Sequence, residues 1–200
     1  MAHPRDRGFR SWLSRGPLLI LIAVVLCGDF FPKPALARVI VEEKIEWHEV
    51  AGNTGNALRA AIRRNMGDDR LAFTDGQMSL LYRLRNEGGH CRLHDVRIQL
   101  TITYNYPKWT DQSGASTALR TRWQRMQTAL TQHEAGHADL FLEQAHQLDM
   151  MLQTIRRPCA LIDAEARQLP SLLAEEYQYR QEAYDVQANV NEDMRIYELY

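Results

Sequence analysis

The stretch Ser116-TALRTRWQRMQTALTQHEAGHADLFLEQAHQLDMMLQT-Ile155 decides how this chain is read. Apolar or motif residues recur at Leu119, Trp123, Met126, Leu130, His133, His137, Leu140, Gln144, Leu148, Met151 and Ile155, in alternating steps of four and three. That spacing predicts one amphipathic α-helix, about 58 Å long, begun by Ser116 or Thr117 as N-cap and ended before Pro158. Within it, His133-Glu134-Ala135-Gly136-His137 places two imidazoles one turn apart, with a carboxylate beside them. A lone histidine on an apolar stripe is ordinarily a hydrogen-bonded core residue. Two of them four residues apart, with a glutamate between, form the H-E-x-x-H arrangement in which both imidazoles hold one zinc ion and the glutamate takes a proton from water. On this spacing both histidines are expected to face the core. Gly136 lies inside the helix at a cost of about 1 kcal/mol against alanine, and a substrate cleft is the expected reason.

Outward from the helix, the chain divides into a sheet-bearing first half and a helical second half, an α+β pattern. Residues 38–50 read as a strand. Thr54 then caps a short helix with Leu58, Ala61 or Ile62, and Met66 inward, and residues 73–85 read as a second strand. After the turn signal Asn86-Glu87-Gly88-Gly89, the residues Val96, Ile98, Leu100, Ile102, Tyr104 and Tyr106 alternate with polar ones, the clearest strand of the chain. Antiparallel pairing across that turn predicts a small antiparallel sheet packed on the long helix. If Val96–Tyr106 lies at its edge, an extended peptide could pair with it. Lys108–Ala115 reads as a polar lip. A second helix is expected from about Leu161 to Asp185, bent or divided at Pro170, folding back as an antiparallel hairpin.

Folding back about residue 157 brings Glu175, Glu176, Glu182 and Asp185 to the height of the two histidines, to within one turn. A catalytic zinc site takes a third protein ligand and leaves one position open, so Glu176, Glu182 and Asp185 are the candidates, Glu176 having the best phase seven residues after Leu169. Glu143 and His146 on the first helix are poorer placed. Tyr184 is a candidate for stabilising a developing oxyanion, although a helical tyrosine more often packs.

Residues 1–37 read as a removable secretory signal: Arg5, Arg7, Arg10 and Arg15, an apolar run from Pro17 to Leu26, then Ala35-Leu36-Ala37. Residues 38–200 then form one domain. The segment removes five of the 24 basic residues and two of the 25 acidic ones, leaving 19 and 23, a net charge of about −4. That charge disfavours nucleic acid, and membrane contact is expected only through the signal during export. No glycine-rich phosphate loop or basic patch is visible along the chain. Of the three cysteines, Cys91 and Cys159 remain, and in an oxidising compartment they are expected to pair across a loop of nearly seventy residues. The competing role for Cys91, a metal cluster with His90 and His94, lacks a fourth ligand.

Several local sequences carry a resemblance: Val50-Ala51-Gly52-Asn53-Thr54 leading into Leu58, Gly89-His90-Cys91-Arg92-Leu93, Tyr106-Pro107-Lys108-Trp109, Arg122-Trp123, HEAGHAD from His133 to Asp139, Pro158-Cys159 and Tyr184-Asp185. From about Trp47 to Asp185 the chain resembles the bacterial predicted secreted zinc-dependent proteases grouped as domain of unknown function 922. The resemblance implies a compact, secreted, zincin-like unit. The family pattern continues after Tyr-Asp with Thr-x-His-Gly, where this chain has Ala188, Asn189, Val190 and Asn191. The reading that follows is a secreted or periplasmic zinc-dependent peptidase, with Zn2+ on His133 and His137 and Glu134 as general base. Its substrate would be a peptide or protein, of the cell envelope or of cell-wall cross-links. The alternative is a zincin-shaped binding or scaffold module without turnover.

Overall fold

The computed structural model describes residues 38–67 and 70–190, with side chains as far as Gln187. The leader read from residues 1–37 and the side chains of 188–191 lie outside the described residues. In chain order the elements are β1 (Val39–Val50), α1 (Gly55–Met66), β2 (Phe73–Glu87), β3 (His90–Trp109), a single 3₁₀ turn (Gln112–Gly114), α2 (Thr117–Thr154), β4 (Arg156–Pro158) and α3 (Cys159–Val190).

The α+β class holds, but the sheet is mixed rather than antiparallel. β3 lies between β1, to which it is parallel, and β2, to which it is antiparallel, and β4 adds a short antiparallel pairing at the start of β3. The helix-facing side of β3 carries Val96, Ile98, Leu100, Ile102 and Tyr106, all buried, and a strand with so apolar a face is stabilised most at the sheet centre. This corrects the expectation of an edge at Val96–Tyr106. Thr101 is opposite Glu42 on one side and Gln77 on the other, so that stretch has no free backbone edge for a peptide. The β2–β3 turn needs two residues in the left-handed region, which Gly88 (φ 67°) and Gly89 (φ 88°) supply, while Asn86 Oδ1 accepts from the Gly89 amide.

Helix α1 forms as read, with the Thr54 hydroxyl accepting from the Ala57 amide and Leu58, Ala61, Ile62 and Met66 buried. Ser116 caps α2 by accepting from the Leu119 amide. The buried face of α2, however, drifts. It follows Leu119, Trp123, Met126 and Leu130, then passes to Glu134, Ala138, Ala145, Leu148 and Leu152. A strict seven-residue repeat loses about 20° per heptad against a straight helix, so Glu134, Ala138, Ala145 and Leu152 are buried one residue beyond extrapolated positions, while Gln144, Leu148 and Ile155 of the original stripe stay buried as well. Hence Glu134, not the histidines, points at the sheet, and Met151 is exposed while Leu152 is buried.

Helix α3 runs back along α2 without interruption at Pro170. It packs through Ile162, Ala166, Leu169, Leu173 and Tyr177. A disulfide joins Cys91 at the start of β3 to Cys159 at the start of α3. The Lys108–Ala115 connection is pinned rather than loose: Asp111 accepts from the Gly52 amide at 3.0 Å and from Trp109 Nε1 at 2.6 Å, and Trp109 is buried against Trp123.

Candidate metal centre

The flank of α2 that turns away from the sheet toward α3 carries His133 and His137. Opposite them, α3 presents Gln181, Tyr184 and Asp185. The packed positions on this part of α3 step by four, from Leu169 to Leu173, Tyr177, Gln181 and Asp185, because its contact line follows the curved surface of α2 rather than a seven-residue repeat. That step selects Asp185 among the three acidic candidates and corrects the other two. Glu176 is exposed one position before Tyr177, and Glu182 is exposed with its carboxylate accepting from Gln178. Of the poorer candidates, Glu143 pairs with Arg180 at 2.6 Å and His146 is exposed. The meeting points, 137 with 181 and 133 with 185, lie about one helical turn further along α3 than reflection about residue 157 places them, at the margin of that expectation.

His133 Nε2, His137 Nε2 and Asp185 Oδ1 form a small triangle with edges of 3.1 Å between the nitrogens and of 3.0 and 2.9 Å from His133 and His137 to the carboxylate. Around a tetrahedral zinc at 2.0–2.1 Å, neighbouring ligand atoms are separated by about 3.3 Å, so this donor set is close to the required size. Among the described residues it is the one group of three such side chains with ligand atoms within 4.8 Å of one another. His133 and His137 are nearly covered, with 10 and 12 % of their side chains accessible, while Asp185 is half exposed at 50 %, which leaves an approach from solvent.

Proton positions around His137 are determined by Gln181. Its amide nitrogen donates to the His137 carbonyl oxygen, which turns its amide oxygen toward His137 Nδ1. An amide oxygen only accepts, so Nδ1 carries the hydrogen and Nε2 of the neutral ring is a bare lone pair. That lone pair faces a carboxylate oxygen at 2.9 Å. The two repel unless a cation, proton or metal, lies between them. Burial first, and the neighbouring His137 second, push His133 below the ordinary histidine range, favouring the neutral ring that binds metal.

Glu134 is buried beneath the histidines with 2 % of its surface accessible, its carboxylate accepting from the Thr74 hydroxyl of β2 at 2.8 Å. Burial raises its pKa above the usual carboxylate value, outweighing the Thr74 bond and the attraction of His137, which lower it. Its charge in turn helps to raise Tyr106, whose phenol is pushed up to about 12 chiefly by burial.

Gly136 has a reason other than a cleft. The Tyr184 phenol occupies the space where a Cβ would project. The Tyr184 ring stacks on His133 (centroids 5.1 Å, 16° between planes) and meets His137 edge-on at 5.0 Å. It therefore holds both rings in place. Sequence reasoning missed Gln181, Thr74 and the part played by Gly136; a glycine inside the motif opposite a tyrosine was the available signal.

The remaining local readings separate cleanly. Cys91 is in the disulfide, and His94 bonds to Arg85 and Asp95, so the His90, Cys91 and His94 set is not a metal cluster. A cavity of about 630 Å³ lined by Trp47, Pro107, Trp109, Trp123, Gln127 and Thr131 lies on another face of α2, with neither motif histidine in its wall.

A family description, bacterial protein of unknown function (DUF922), matches residues 45–192. The chain belongs to this family. No curated protein and no solved structure matches it. The DUF922 match takes in every residue of the centre just described, from Thr74 to Asp185.

Proposed function

We propose that this DUF922 protein is a zinc-dependent peptidase of zincin-like type, acting in a secreted or periplasmic setting. The observation that carries the reading is the His137 lone pair directed at the Asp185 carboxylate, with His133 completing the triangle. The donor set of two neutral imidazoles and one carboxylate suits zinc, and three protein ligands leave one position for water. Bound there, zinc would bring the pKa of its water toward neutrality and polarise a substrate carbonyl.

The rest of the chemistry belongs to this chain. The Glu134 carboxylate accepts a proton from the attacking water and returns it to the leaving amine, a role favoured by the rise in its pKa. Thr74 holds that carboxylate by one oxygen, and Gln181 keeps the His137 hydrogen on Nδ1. The Cys91–Cys159 disulfide supports an oxidising compartment. Peptides of the cell envelope, including cell-wall cross-links, are the substrates that compartment offers.

One observation favours a second reading, a zincin-shaped binding module without turnover: Glu134 is almost wholly enclosed and tied to Thr74. Metal analysis of the purified protein together with Glu134→Gln separates the two. Stoichiometric zinc in both proteins, with hydrolysis of a mixed peptide substrate abolished in Glu134→Gln, is the result expected of the peptidase. Stoichiometric zinc without hydrolysis by either protein would establish the module.

A further inference from the structure

The sheet register assembles a cationic surface that the linear sequence hides. Arg85 of β2 is opposite Arg92 of β3, and Arg92 is opposite Arg156 of β4, so three guanidinium groups stand side by side on one face of three adjacent strands. Strand alternation adds Arg83 and Leu81 to that face, and the pairing of Leu81 with Arg97 adds a fifth arginine. The opposite face of the same strands carries Cys91, bonded to α3, so the arginines are on the side away from the helices. Asp95, at φ 52°, marks the irregularity where β3 shifts register against β2.

Like charges directly opposite one another in a sheet are destabilising, yet this chain, of formal net charge −1, concentrates five here. Only Glu87 and Asp95 answer them, pairing with Arg92 at 3.2 Å and Arg83 at 3.9 Å. Arg97 and Arg156 have no ion-pair partner among the described residues. At the other end of the same face, β1 presents Glu42, Lys44 and Glu46, with Lys44 paired to Glu42 at 3.3 Å, so the arginines are gathered at one end of the face. Leu81 is 62 % exposed among the arginines.

We propose that this arginine face of β2, β3 and β4 docks the protein on an anionic membrane surface, the guanidinium groups meeting lipid phosphates and Leu81 entering the headgroup layer. Planar guanidinium forks bind phosphate oxygens in pairs, and an exposed leucine among them suits a surface with an apolar layer beneath its charges better than a dissolved polyanion. The orientation has a consequence. The metal centre lies among the helices on the other side of the sheet, so docking by the arginine face turns it away from the bilayer.

The test is cosedimentation of the full chain with vesicles of equal parts phosphatidylglycerol and phosphatidylcholine, against vesicles of phosphatidylcholine alone. The neutral vesicles measure any contribution of the apolar run at 18–26. Preference for the anionic vesicles, weakened by salt, is expected. Arg97→Gln with Arg156→Gln, which breaks no ion pair, should lower the anionic partition on the order of twentyfold. Leu81→Gln should lower it severalfold while leaving the binding of soluble polyphosphate unchanged. If vesicles of both kinds bind alike, or the double change has no effect, the proposal is overturned. Binding to polyphosphate with no vesicle binding would also overturn it, in favour of a soluble polyanion.

Discussion

The two ends of the molecule concentrate charge in opposite ways. Where α2 meets the end of α3, groups of complementary kind converge, two imidazoles on one carboxylate oxygen, mostly shielded from water. At the β2–β3–β4 end, groups of the same kind are aligned in the open. Each arrangement leaves something uncompensated: an unshared lone pair facing a carboxylate in the first, unpaired guanidinium groups in the second. Under the two proposals, a metal cation answers the imidazoles and carboxylate inside the helical hairpin, and lipid phosphates answer the guanidinium groups outside the sheet.

The disulfide is the largest lever on this contrast, because it fastens the basic end only. Replacing Cys91 and Cys159 together by alanine opens a crosslink between residues 68 apart and should cost about 4 kcal/mol of stability in the chain-entropy model. Denaturant unfolding should register that loss, while zinc affinity measured under native conditions should stay within a few fold; a collapse of zinc binding in the folded protein would show that the two ends are not independent.

Gly136→Ala acts at the other end. A methyl group there meets the Tyr184 ring, and overpacking of this kind costs about 1–3 kcal/mol. The change should lower both the melting temperature and zinc affinity, since Tyr184 also positions the imidazoles. Gln181→Leu tests the proton assignment more narrowly. Losing such a ligand-orienting partner typically weakens metal binding roughly 10- to 100-fold, and calorimetric titration should find that loss with the melting temperature of the metal-free protein little changed.

The smallest effect expected is a pH dependence on the helix-facing side of the basic end. Asp163 accepts from Tyr82 at 2.6 Å and pairs with Arg167, and these bonds hold its carboxyl below the ordinary value of 3.8, the Tyr82 bond first. A carboxyl depressed in the folded state contributes stability above its unfolded pKa and loses it as pH falls through its folded pKa. Tyr82→Phe should therefore melt slightly earlier than the parent protein at neutral pH, and the two melting curves should converge as pH falls through the lowered pKa of Asp163. Parallel curves at every pH would mean that the hydroxyl acts by packing alone.

Much of this was legible in the sequence because it is local. The caps at Thr54 and Ser116, the Gly88-Gly89 turn and the alternation in β3 are short-range patterns, and the H-E-x-x-H spacing is a property of one helix. The cysteine pairing was legible for another reason, since only two candidates remained. What the sequence hid is set by how elements meet. The parallel pairing of β1 with β3 depends on which strand takes the centre, and a periodicity extrapolated over ten turns slipped by one residue, enough to exchange Glu134 for the histidines on the buried face. The same small error in phase on α3 favoured Glu176 over Asp185, because the step of four along its contact line comes from α2. The arginine face had no trace in the linear order, its members being scattered from Arg83 to Arg156.

The most direct test of the central claim is zinc titration of the purified protein, followed by calorimetry, in parallel with Asp185→Ala. The account predicts one zinc per chain in the parent protein and an affinity at least a hundredfold lower in the variant, since a charged ligand is lost from a set of three. Unchanged zinc affinity in Asp185→Ala, or no saturable zinc binding by the parent protein, would contradict it.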